Sequence, residues 1–515
     1  MYLTKFRAHA YDVKITNSLS KILKYLSICI IIKQNKITFS MLKKKKRLRI
    51  IMSKYSPKEA LKAFSFKQVL KWLDKDPDTN APKVVDWVGK FDRKGTVASQ
   101  VATYKAAMED KDSNWWQLIR KVWNNYDAGV RRRFFENFII YATTVGYDRR
   151  RSVGAKNGCM VPWAILLDPT SACNLRCKGC WAAEYGHSLN LTLDEIDDIV
   201  NQGEEMGTFM YIYTGGEPLV RKKDLITICE RHPNSYFLSF TNGTLIDQQF
   251  CDDMLRVQNF IPAISIEGFE ESTDARRGQG TYQKIINAMD LLTANRLPFG
   301  VSCCYTSQNI DTIATDEYID FLVEKRALFA WFFAYMPVGK DYVKELLVPT
   351  EKREKFFHVV REWRKTKPIF TMDFMNDAEY VGGCIAGGRR YLHINANGDV
   401  EPCVFAHYSD SNIREKTLLE AYTSPMFQQY QTHIPFNDNM LRPCPILDNK
   451  DLLAKMVKEA GAKSTNLEAP ETADELCERT HDVIDTWGPK AAELWEVRKK
   501  EIEEIKAKRE AALNK

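Results

Sequence analysis

The chain has no apolar run long enough to cross a bilayer. The nearest candidate, Tyr25–Ile32, is far short of the ~20 residues a spanning helix needs, and no small-residue cleavage site follows it. Internal repeats and long low-complexity tracts are absent, which excludes collagen-like and disordered classes. A disulfide pattern is missing as well. Thirteen cysteines, an odd number at irregular spacing, fit a reduced, cytoplasmic chain that uses thiols as ligands. A basic body is also lacking. Residues 1–51 hold 13 of the 74 Lys/Arg and one of the 67 acids, Asp12, so the remainder carries 61 basic against 66 acidic residues. The net charge of +7 therefore says nothing for a nucleic-acid partner. No acid–base triad is evident either.

What is present suits two or three globular domains: 515 residues, 44% hydrophobic and 27% charged. Residues 1–51 read as upstream translation or a basic leader, with Met52 as the expected initiator. Residues 52–158 read as helical, with apolar residues at helical spacing from Leu61 to Leu73 and from Trp115 to Val145. The triplets Arg131–Arg133 and Arg149–Arg151 read as solvated helix ends. Residues 159–340 alternate short apolar runs with helical stretches. The expected strands are Trp163–Leu167, Phe209–Tyr213, Tyr236–Phe240, Ala263–Ile266, Phe299–Cys304 and Ala330–Met336. Helices are expected at Leu193–Met206, Gln248–Val257 and Tyr282–Ala294. This is the α/β pattern of a parallel sheet, here a partial (β/α)6 TIM-like barrel with function at the C-terminal strand ends. Residues 341–448 form a further block with a hairpin at Arg390–Cys403, turning at Asn397-Gly398. Residues 449–515 read as charged helices with a solvated end.

Chemistry concentrates in Asp168-Pro-Thr-Ser-Ala-Cys173-Asn-Leu-Arg-Cys177-Lys-Gly-Cys180-Trp181. Three thiols in one loop after the first strand can wrap three corners of a [4Fe–4S] cube and leave the fourth iron open. Zinc, with His187 as a fourth ligand, is the competing reading.

The Cys-x3-Cys-x2-Cys loop resembles that of the radical S-adenosylmethionine (SAM) superfamily, and later motifs arrive in that family's order. Gly215-Gly216-Glu217-Pro218 resembles the motif that meets the SAM amino group. Asn242, in Phe240-Thr-Asn-Gly243, resembles an element lining the SAM pocket. Ser265-Ile-Glu267-Gly268 resembles the pattern near the ribose, with Glu where Asp is commoner. Asp274-Ala-Arg-Arg277-Gly278 resembles a stretch whose Arg277, or Arg276, would pair with the SAM carboxylate. The resemblance implies reductive SAM cleavage to a 5′-deoxyadenosyl radical that abstracts hydrogen from a substrate, with no catalytic side chain assigned beyond the cluster. It also implies a reductant such as flavodoxin or ferredoxin. Cys384, Gly398 and Cys403 resemble the opening of the SPASM/Twitch extensions, which carry auxiliary Fe–S clusters, with Cys444 as a third ligand and Cys477 a conceivable fourth. The shorter Twitch form fits better. Cys29, Cys159, Cys229, Cys251, Cys303 and Cys304 read as ordinary thiols. The substrate is open: a peptide or protein, or alternatively a lipid or cofactor precursor. A non-catalytic Fe–S or zinc protein, acting as redox sensor or binding module, is the alternative from another class.

Overall fold

The computed structural model describes residues 56–91, 98–182, 186–339 and 341–513. The segment 1–51, with Cys29, lies outside them.

The N-terminal region is helical, as its periodicity requires. Ser56 opens the helix Pro57–Leu73 with a capping box closed by Glu59. Further helices follow at Pro77–Phe91, Ala98–Glu109, Asn114–Asn125, Ala128–Phe135 and Gly146–Asn157, with a π-helical stretch at Glu136–Val145. The two arginine triplets are not solvated ends. Arg131 pairs with Asp74 at 2.7 Å, Arg149 with Glu59 at 2.8 Å, and Arg150 donates to the Ala142 carbonyl. They tie helices together.

The core is a nine-stranded sheet in the order β7-β6-β5-β4-β3-β2-β1-β8-β9. Strands β1 (Ala164–Leu167), β2 (Met210–Tyr213), β3 (Tyr236–Thr241), β4 (Phe260–Ser265), β5 (Gly300–Tyr305) and β6 (Phe329–Ala334) are the six expected core strands, all parallel. The helices Leu193–Met206, Gln248–Val257 and Thr281–Ala294 fall within one residue of expectation. Their apolar faces pack on β-branched and aromatic strand residues such as Ile165, Tyr211, Phe237 and Ile264, all fully buried. The sheet is wider than six strands. β7 (Phe370–Asp373) joins β6, and β8 (Tyr391–Ile394) joins β1 in parallel, with Ala164 opposite Tyr391. β9 (Val400–Glu401) returns antiparallel to β8 through the expected turn, where Gly398 has φ 85°. The C-terminal block thus extends the barrel sheet instead of packing beside it.

The last helix, His481–Leu513, is solvated only toward its end. Its first half buries Trp487, Ala491 and Leu494 against Phe357 and Leu441. Among the described residues no helix is long and apolar enough to cross a membrane.

Candidate active site

The cysteine loop begins where β1 ends and lies over the C-terminal strand ends. Cys173, Cys177 and Cys180 line one cavity of about 240 Å³, with Gly215, Gly216, Glu217, Asn242, Ser265 and Arg277. The expected residues are therefore together, Glu267 excepted. The loop is held from two sides. Lys178 N–H donates to the Arg276 carbonyl at 2.9 Å, and Gly216 and Glu217 N–H donate to Thr170 and Ala172 carbonyls at 3.0 and 2.9 Å.

The two glycines serve that second contact. A Cβ on Gly216 would stand 2.2 Å from the Ala172 carbonyl oxygen, and one on Gly215 (φ 97°) 2.7 Å from the Thr170 oxygen. The close approach is to the cysteine loop itself. Glu217 is likewise engaged by protein. Its carboxylate accepts from Thr241 Oγ1 (2.7 Å), Asn242 N (2.7 Å) and Leu219 N (2.9 Å). Burial pushes its pKa up, against those hydrogen bonds. Asn242 Nδ2 donates to Asn174 Oδ1 at 2.8 Å, fastening the loop to the end of β3.

Glu267, expected near the ribose, does not line the cavity. It is fully buried, and its Oε1 takes Arg276 Nη1 at 2.6 Å and Arg277 Nη2 at 2.5 Å. Burial would raise its pKa, but the two guanidiniums hold it below the ordinary carboxylate value. The cavity meets the arginines and not the carboxylate. Arg277 Nη1 reaches Cys177 Sγ at 3.8 Å.

Cys384, Cys403 and Cys444 line a second cavity of about 480 Å³, in walls that are mostly apolar. Cys477 lines neither cavity; it is buried on the helix Ala473–Glu478. Five of the six candidate ligand thiols accept an N–H from the residue two positions on: Leu175 to Cys173 at 3.4 Å, Ile446 to Cys444 at 3.4 Å, and likewise Ala182 to Cys180, Ala386 to Cys384 and Phe405 to Cys403. Such N–H···S contacts favour a thiolate and tune a cluster's potential. Without a metal, burial keeps these thiols protonated, pushing Cys173 up to about 11 and Cys384 up to about 12. A bound metal would displace those protons. Among the described residues no three His, Cys, Asp or Glu groups converge as at a single-ion site. A four-iron cube takes its thiolates at separate corners, so three cysteines of each set would meet three different irons.

The two cavities share Trp331, Met336, Phe374, Ile385, Tyr391 and Phe405 as walls. Strand alternation brings Ser302 and Cys304 to the first cavity and turns Cys303 away, so Cys304 is no ordinary core thiol. The sequence also left unread a buried ion chain. His393 on β8 lies 2.9 Å from Asp168 Oδ1 and 2.6 Å from Glu401 Oε2, and all three are buried. Thr214 Oγ1 donates to Asp168 at 2.7 Å. Asn395 Nδ2 donates to Glu401 at 3.1 Å, and Thr465 Oγ1 donates to it as well. Trp181, next to Cys180, sits edge-on to His393 and stacked on His407. A histidine among apolar residues of a buried strand was the available signal.

A parallel sheet with a three-cysteine loop after its first strand, and glycine-, serine- and arginine-bearing strand ends around it, is the architecture of a cluster-dependent SAM-cleaving enzyme. Residues 167–321 match the radical SAM superfamily and residues 384–445 match an iron-sulfur cluster-binding domain of the SPASM type. The chain is a radical SAM enzyme with a C-terminal SPASM extension. Its cofactors are accordingly [4Fe–4S] clusters and SAM. It is similar to an AdoMet-dependent heme synthase of Methanosarcina barkeri, 23% identical over 51% of this chain and 82% of that one. It is similar also to a PqqA peptide cyclase of Granulibacter bethesdensis, at 24% over 56% and 81%. The mycofactocin maturase MftC of Mycolicibacterium smegmatis is 26% identical over 49% and 66%. In fold it is similar to Streptococcus suis SuiB bound to S-adenosylmethionine, with a TM-score of 0.51 at 18% identity over 66% and 83%.

Proposed function

We propose that Cys173, Cys177 and Cys180 hold the SAM-cleaving cluster, that Cys384, Cys403 and Cys444 hold an auxiliary one, and that the enzyme abstracts hydrogen from an apolar substrate lying between them. When bound and reduced, the first cluster supplies the electron that breaks a sulfonium C–S bond of SAM, giving methionine and the 5′-deoxyadenosyl radical. Everything else falls to the chain. Arg276 and Arg277, aimed by Glu267, present guanidinium donors to the SAM carboxylate. Gly215, Gly216 and Glu217 hold the cysteine loop in register, and Ser265 and Asn242 line the nucleoside side. Apolar walls exclude water from the radical. The electron donor is an external reductant of flavodoxin or ferredoxin type inside the cell. The working division is a helical region 52–158, a barrel 159–340, an extension 341–448 and helices 449–515.

The observation that carries the substrate class is the shared wall. The passage from the arginines to the auxiliary cysteines is lined by Trp331, Phe374, Tyr391 and Phe405, and its outer rim exposes Trp115, Phe370, Tyr380 and Val381. An alkyl chain of a lipid gains from such walls, whereas a peptide backbone finds few hydrogen-bond partners there. The name of one relative, the PqqA peptide cyclase, favours a peptide as the second reading. The test is deuterium transfer into 5′-deoxyadenosine, with the reconstituted enzyme, dithionite and SAM. A perdeuterated acyl lipid should label the product. Label arriving only from a deuterated peptide or from Fe-coproporphyrin III would refute the lipid assignment.

A further inference from the structure

The chain of charge from the end of β1 to β9 has no place in SAM binding, since none of Asp168, His393 and Glu401 lines either cavity. Its place in the sequence is telling. Asp168 ends β1 five residues before Cys173, and Glu401 ends β9 two residues before Cys403. His393 stands between them on β8, opposite Leu166 of β1 in the register. Further ties run to the same two places. Thr214, which donates to Asp168, directly precedes Gly215 and Gly216. Trp181, which directly follows Cys180, is packed between His393, Phe405 and His407. Every group of the chain therefore touches the root of one cysteine set or the other.

Both ring nitrogens of His393 face carboxylate oxygens, at 2.9 and 2.6 Å, an arrangement that favours the imidazolium and alternates in sign along the line; His407 Nδ1 stands 3.7 Å from the far side of Glu401. A cation between two buried anions draws both toward it. Without the cation, two carboxylates face each other in a dry interior and repel. Backbone pairing alone would leave the hairpin end freer, because β9 is only two residues long.

We propose that Asp168, His393 and Glu401 are positioning residues, an electrostatic clamp that sets the separation between the SAM-cleaving cluster and the auxiliary cluster. The clamp rests on the cluster assignment made above. The experiment therefore begins with the parent full-length protein, where iron and sulfide content and the EPR spectrum of each reduced cluster test that assignment by themselves. The clamp is then read as the magnetic dipolar interaction between the two reduced clusters. In His393→Gln the interaction should weaken, because the carboxylates part. In the triple variant Asp168→Asn, His393→Gln, Glu401→Gln, which removes the charge of all three groups and leaves only His407 beside position 401, it should recover toward the parent. A role in packing alone predicts the opposite order, with the triple variant more perturbed than the single one. An unchanged interaction in His393→Gln, or a triple variant worse than the single, would overturn the clamp. If His393→Gln holds too little iron to measure, Asp168→Asn takes its place. It leaves the His393–Glu401 pair intact and should still shift the interaction, and a spectrum identical to the parent's overturns the proposal equally.

Discussion

Cys177 is the one candidate ligand with a guanidinium against its sulfur, at 3.8 Å. Replacing it with Ala should abolish 5′-deoxyadenosine formation and lower the iron content from about eight to about four per chain. A variant still cleaving SAM at the parent rate would remove these cysteines from the mechanism. Glu267 makes a second residue-scale point. Its Oε1 pairs with two guanidiniums that are 13% and 11% exposed, so Glu267→Ala leaves both without that counter-charge in a largely dry setting. Such a loss costs about 3–5 kcal/mol of stability, readable by denaturant titration. SAM affinity should fall with it, because the arginines lose their aim. His393 gives a pH dependence. Burial would lower its pKa, but Asp168 and then Glu401 raise it from 6.5 to about 10. A raised value on a cationic group means stability that is complete below the unfolded value and lost as pH climbs to the folded one. The metal-free protein should therefore melt progressively lower between pH 6.5 and about 10. The His393→Gln variant should lack that alkaline slope.

Among the elements, the turn after β2 decides the geometry of the cysteine loop. Gly216→Ala drives a Cβ into the Ala172 carbonyl, an overpacking of about 1–3 kcal/mol. Iron should be lost from the first cluster while the auxiliary cluster stays loaded, a split that EPR resolves. This turn also shows how far the sequence could be read. The helices Leu193–Met206 and Gln248–Val257 were legible to the residue because capping residues, Thr192 and Asp247, and period-3.6 apolar faces coincide there. The cysteine loop and Gly-Gly-Glu were legible as a motif, yet the job of the glycines was not. Which surface a glycine must approach depends on a neighbour 44 residues away, Ala172 facing Gly216. The arginine partners of Glu267 went unread for a similar reason: one-dimensional spacing hides that a helix returns Arg276 and Arg277 onto its carboxylate. β7 went unread, and β8 was read as a hairpin arm and not as the neighbour of β1, because pairing between strands 227 positions apart leaves no local signal in the sequence.

At the scale of the whole molecule, distant segments converge on the auxiliary site. Trp487 of the last helix stacks on Arg353 at 4.0 Å, Arg353 pairs with Asp448 at 2.9 Å, and Asp448 accepts the Cys444 N–H at 2.9 Å. Trp487→Ala should cost about 3–5 kcal/mol and reduce auxiliary-cluster iron, although it touches no cysteine. Unchanged iron in that variant would show the relay to be idle. Charge runs made the end of the chain from Ala491 read as solvated, and the burial of Ala491 and Leu494 there was hidden because they are few among many Glu and Lys.

The seam between β1 and β8 joins residues 164 and 391, which are 227 positions apart. On the ribosome β1 emerges early and can pair with β2 at once, but its other edge waits until most of the polypeptide has been synthesised. An open edge beside three reactive thiols is an invitation to misassembly, and closing so long a loop is slow. The order of folding follows: β1 gains its second neighbour, and the strand carrying the Cys173–Cys180 loop its full support, only once the C-terminal hairpin has been synthesised.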